Sequence, residues 1–172
     1  MVKSLARPLR TLTLIRFVAL AVLPSFACTS TNALAAPPVA SAPLDSAKAE
    51  VMLADYEALR AALAADKLGQ APALAAKIAA SAKAAGQKQM SSAALTIKTG
   101  QSADDTRRAF GELSKGLVAL LVAHPKLAAG RHIFECPMAQ GYQKWVQSAA
   151  KLENPYMGGR MLRCGSASKW SH

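Results

Sequence analysis

Acidic side chains, aromatic rings and cysteines are all scarce in this chain. Ten Asp and Glu stand against 21 Lys and Arg among 172 residues, aromatics make up 5%, and there are three cysteines. Few aromatics and abundant alanine argue against a β-sandwich, whose inward positions are β-branched or aromatic. Three cysteines cannot staple a disulfide-dense mini-protein, and the glycine content has no collagen period. No apolar run reaches the ~20 residues that a membrane-spanning helix needs. Enzyme signatures are missing too: there is no Gly-rich phosphate loop, Gly-x-Ser-x-Gly elbow, His-Glu-x-x-His or Cys-x-x-Cys.

What is present begins with a leader. Lys3, Arg7, Arg10 and Arg16 precede an apolar run of 11 residues, Phe17 to Ala27, and the small-x-small site Ala33-Leu34-Ala35 follows. This pattern predicts a secretory signal over residues 1–35, cleaved after Ala35, and a periplasmic destination. Lipidation at Cys28 is the lesser alternative, because Ser25-Phe26-Ala27 lacks the leucine usual three residues before a lipidated cysteine. No Arg-Arg pair precedes the run, so folding and any metal uptake are expected after export. Residues 36–44 read as a Pro/Ala linker and 45–172 as a single helical domain. Removing the leader leaves 17 basic against 10 acidic residues. The lysines are scattered singly without interleaved aromatics, which does not suggest nucleic acid.

Helical spacing dominates the first two thirds of that domain. Met52, Tyr56, Leu59 and Leu63 share one face of a helix that starts after Asp45 and stops near Gly69. Pro72 suits the first turn of a second helix, which Gly86 closes. Residues 87–101 are ambiguous, with Met90, Leu95 and Ile97 as candidate anchors. Ser102 and Asp105 form a capping-box-like start for a third helix, whose stripe is Phe110, Leu113, Leu117, Leu120 and Leu121 and which ends before His124-Pro125. The expected fold is all-α: a small antiparallel bundle with an irregular C-terminal Cys/Met segment packed against it.

That segment carries the chemistry. It contains His132, then Cys136-Pro137-Met138-Ala139, then Trp145, then Asn154-Pro155-Tyr156-Met157-Gly158-Gly159-Arg160-Met161-Leu162-Arg163-Cys164-Gly165. Pro137 pushes Cys136 toward extended backbone and suits a first helical position, so Cys136 is expected at a helix N-cap, with a lowered thiol pKa. An extended backbone would turn Met138 to the same side as Cys136. A short helix would place Met161 and Cys164 on one face. Cys136, Met138, Met161 and Cys164, with His132 as a further donor, are therefore candidate ligands of a soft metal, copper(I). In an oxidising compartment the same two cysteines could instead pair as a disulfide, with the methionines filling core gaps. Trp145 is expected as a core anchor and Tyr156 as a lid over the Cys/Met cluster. His124 is expected to complement a helix dipole rather than to bind a metal.

These two elements, in this order, resemble domain-of-unknown-function family 3347, in which a Cys-Pro-Met element is paired with an Asn-Pro-Tyr, glycine, Met and Cys-Gly element. The resemblance is sharp from His132 onward and weak across the helices. It implies a helical bacterial periplasmic domain associated with copper handling, free-standing or appended to heavy-metal efflux adaptors. It also shifts the weight from disulfide to metal. The barrel and hairpin regions of such adaptors are not found here, so the expectation is a free-standing copper-binding or delivery protein that meets an efflux or copper-delivery partner. A protein-interaction module stapled by Cys136–Cys164 is the alternative, and no enzymatic activity is expected.

Overall fold

The computed structural model describes residues 44–171; the leader, the Cys28 alternative and nearly all of the linker lie outside them. Helix α1 spans Ser46–Ala64 and is capped by Asp45, whose carboxylate accepts from the amides of Ala47 and Lys48. It stops at Ala65, before the expected Gly69, and Asp66 turns the chain with a positive φ of 57°. Helix α2 (Ala71–Ala84) carries Pro72 in its first turn, where no amide is needed, and Gly86 follows it. The ambiguous stretch resolves into a short helix α3 (Lys88–Ala94): Met90 and Ile97 are buried, and Leu95 is exposed. Helix α4 (Ala103–Ala123) begins as expected. The Ser102 hydroxyl accepts from the Asp105 amide and donates to the Asp105 carboxylate, and Asp104 and Asp105 lie at the positive end of the dipole. His124 ends it, and Pro125 opens the one-turn helix α5 (Pro125–Ala128).

The fold is mostly helical, but the all-α expectation needs correcting. A three-stranded antiparallel sheet forms in the C-terminal part: β1 (His132–Glu135), β2 (Lys144–Gln147) and β3 (Ser166–Ala167), in the order β2-β1-β3. Ile133 pairs with Val146 and Phe134 with Trp145. These β-branched and aromatic pairs fill a pleated surface better than a helical stripe, and the Pro- and Gly-containing loop between them closes the hairpin. The sheet packs on α4 and α1 through β2, and α2 and α3 complete the helical layers.

The core joins both parts. Tyr56 of α1 stacks on Phe110 of α4 with centroids 5.3 Å apart, and its hydroxyl shares a hydrogen bond of 2.7 Å with Ser114. Phe110 meets Tyr156, which meets Trp145 edge-on, which meets Phe134. Most of the few aromatics are thus spent in one chain of rings between helices and sheet, each contact worth about 0.5–1.5 kcal/mol beyond its buried area.

Candidate metal centre

Cys136 follows β1 directly. Its amide donates to the Gln143 carbonyl, and its own carbonyl accepts from Ala139, 3.0 Å in each case. Cys136-Pro137-Met138-Ala139 is therefore a β-turn with proline at its second position, a placement that proline's fixed φ favours. This corrects the expected N-cap: no helix follows Cys136, so no helix dipole acts on it. The reversal also separates the two sulfurs expected on one side. Cys136 is 0% exposed within the core, whereas Met138 is 56% exposed. Met138 opens onto a cleft of about 210 Å³ beside Arg107, Arg108, Gln140, Tyr156 and Arg160.

The second element is held by Asn154, itself fully buried. Its side-chain oxygen accepts from the amides of Tyr156 (2.8 Å) and Met157 (3.1 Å), and its side-chain nitrogen donates to the Cys164 carbonyl at 2.6 Å. The Asn154 backbone amide donates to Leu162. One side chain thus folds the tight start of the loop and ties it to the residue ten positions on. Gly158–Met161 forms a 3-10 turn, after which the Cys164 amide donates to the Met161 carbonyl at 2.9 Å, so Met161 and Cys164 flank one turn.

Two glycines let this loop approach its supports. At Gly158, with φ of +60°, a β-carbon would stand 1.9 Å from the Asp66 carboxylate. That carboxylate accepts from the Gly159 amide at 2.7 Å and pairs with Arg107, which also donates to the Pro155 carbonyl. At Gly165, with φ of +128°, a β-carbon would lie 2.6 Å from the Glu135 carbonyl and 3.2 Å from the Trp145 ring. Glycine is required where two backbones come this close.

The consequence is that the two cysteines meet. β3 pairs Ser166 with Glu135 and Ala167 with Phe134; continued by one residue, that register sets Gly165 beside Cys136 and Cys164 next to it. Both side chains are free thiols. The half-buried Cys164 thiol is pushed above the ordinary thiol pKa, first by loss of water and then by the neighbouring Cys136 through its charge and hydrogen bonding. This is opposite to the lowered pKa of an exchange-active cysteine.

The other expected donors divide. Met161, 39% exposed, is tied to Cys164 by their shared turn. His132 stands at the opposite end of β1, its ring 6.2 Å from that of Phe134. Four residues of extended chain put it about 13 Å from Cys136, too far to share an ion. Tyr156 lines the cleft with Met138 and Met157, but it is 5% exposed as part of the ring chain and donates to the Lys144 carbonyl at 2.8 Å. Trp145 is a core anchor, fully buried, donating to Gln147. Among the described residues no three His, Cys, Asp or Glu side chains converge as metal ligands. A donor set here is consequently sulfur: the two thiols, with Met161 one turn from Cys164. Two adjacent thiolates and a thioether in an apolar setting match copper(I), which accepts two or three soft ligands, better than zinc.

Sequence reasoning did not single out Asp66 and Arg107, which anchor the loop from the helices, and named Asn154 only as the start of the second element. A buried Asn before Pro and a charged residue at a helix end were the available signals. The partners that tie the loop together are 10 to 93 residues away. No protein-family model matches the chain, and no curated protein or solved structure matches it either.

Proposed function

We propose that this protein binds copper(I) in the bacterial periplasm and handles it for export or resistance, with Cys136 and Cys164 as the principal ligands and Met161 as a third. The observation that supports this reading is the adjacency of two thiols contributed by separate segments, Cys136 from the turn after β1 and Cys164 from a loop that Asn154 holds, with Met161 one turn from Cys164. The resemblance to family 3347 points the same way and suggests a heavy-metal efflux or copper-delivery protein as partner. No catalytic role is proposed: one thiol is sealed in the core, and the other is half-buried beside it with its pKa raised rather than lowered.

Anaerobic titration of the reduced protein against a copper(I) chelator tests the proposal. One ion per chain is expected. Cys136→Ser and Cys164→Ser should each weaken binding by at least about a hundredfold, beyond what loss of an outer-shell partner costs. Met161→Leu should weaken it less, and His132→Ala should leave it unchanged. Uptake that survives both cysteine changes would refute the site.

The same adjacency favours one other reading, a disulfide staple. Its mark would be a chain purified without free thiols, resistant to mild reductant and indifferent to copper(I) once reduced.

A further inference from the structure

Charge is segregated along this fold. From Lys67 to Ala103 the chain contains five lysines and no acidic residue. The segment contains a 3-10 turn over Leu68–Gln70 together with α2 and α3, which pack together, with the Ser91 hydroxyl donating to the Ala79 carbonyl at 2.8 Å. Lys67, Lys77, Lys83, Lys88 and Lys98 are all exposed. None of them forms an ion pair among the described residues, while Arg60, Arg107, Arg108, Arg131 and Arg163 all do. Of the acids on adjoining elements, Asp66 is held by Arg107, and Glu112 of α4, which makes no ion pair among the described residues, lines a groove with Lys115 beside α3.

This layer packs on α1 and α4, whereas the thiol-bearing sheet meets those same helices through β2. The lysines of α2 and α3 therefore sit on a layer that meets α1 and α4 rather than the sheet, while Lys67 adjoins Asp66, which holds the Gly159 amide of the thiol loop. We infer that the α2–α3 face is an adhesion surface for anionic phospholipid headgroups, which leaves the thiol pair free to meet a partner.

Three features favour lipid over nucleic acid. The segment has no aromatic ring on which a base could stack and no arginine to grip a phosphate with two hydrogen bonds. Its cations are lysines, which act as mobile point charges toward a diffuse negative surface. Leu95, 59% exposed and three residues before Lys98, adds a shallow apolar contact. No described helix is long and apolar enough to cross a membrane, so the contact is peripheral.

The test is cosedimentation of the chain from Ala36 onward, which contains the complete described fold, with vesicles of phosphatidylcholine alone or with about 30 mol% phosphatidylglycerol. Binding should require the anionic lipid and fade at about 0.5 M salt, where screening is nearly complete at contact distances. Each lysine at such a surface is worth about fivefold in partitioning, so Lys77→Glu with Lys88→Glu should reduce binding by more than tenfold. The control Lys151→Glu with Lys169→Glu should change it less than about threefold. Circular dichroism of each variant confirms that the exposed substitutions leave the fold intact. Equal binding to neutral vesicles, equal loss in the control pair, or tighter binding to single-stranded DNA than to anionic vesicles would each overturn the inference. Copper(I) affinity is read separately and should not differ between the lysine variants and the parent chain.

Discussion

Asn154 makes three side-chain hydrogen bonds from a fully buried position, and no other residue type of its size can both accept two amides and donate to a carbonyl. Asn154→Ala should cost about 2–4 kcal/mol in denaturant unfolding, because buried partners lose their bonds as well. It should also free Cys164 from its place beside Cys136 and weaken copper(I) binding in proportion. Gly165→Ala meets both a positive φ and a backbone oxygen, and should destabilise by at least about 2 kcal/mol. The raised pKa of Cys164 has its own consequence. A metal-bound thiol must give up its proton, so copper(I) affinity should climb with pH, through neutrality and past the ordinary thiol range, before levelling off. A pH-independent affinity between pH 6 and about 8.5 would contradict deprotonation of these thiols on binding. The sequence showed which residues have sulfur chemistry. It did not show that a turn at Cys136-Pro137-Met138-Ala139 would bury one sulfur and expose the next, because proline fits the second position of a β-turn as well as the first of a helix.

The helices were the legible elements, since their stripes and caps are local. Ser102→Ala removes the N-cap of α4 and should lower stability by about 1 kcal/mol, visible as a reduced Tm. The sheet was harder to read. Its strands are two to four residues long, and their pairing depends on a loop and a tail meeting β1 from opposite sides. The 154–165 loop is likewise an element only through its anchors. Asp66 titrates below the ordinary carboxylate range, chiefly because the Gly159 amide donates to it, with Arg107 adding to the effect. A carboxyl depressed in the folded state stabilises above its unfolded pKa of about 3.9 and loses that contribution as pH falls through the folded value. Asp66→Asn should therefore be less stable than the parent at neutral pH, and the two should converge as pH falls through the folded value. Because the side chain is half exposed, the difference should be modest.

At the scale of the whole molecule, a ring chain from Phe134 through Trp145, Tyr156 and Phe110 to Tyr56 makes helices and sheet one core around the cysteine pair. Oxidising Cys136 and Cys164 to a disulfide closes a loop that chain-entropy arguments value at about 3–4 kcal/mol. Thermal unfolding should shift upward accordingly, and copper(I) binding should vanish, both reversed by strong reductant. The sequence by itself determined the helix stripes and caps, the excess of lysine, and the two sulfur-bearing elements, because these depend on neighbours within a few residues. Only the tertiary structure decided that Cys136 and Cys164 meet, that Met138 and His132 stand aside, and that a sheet joins the helices. Those outcomes rest on contacts between segments far apart in the chain, where one buried asparagine and one glycine beside a carbonyl set the geometry.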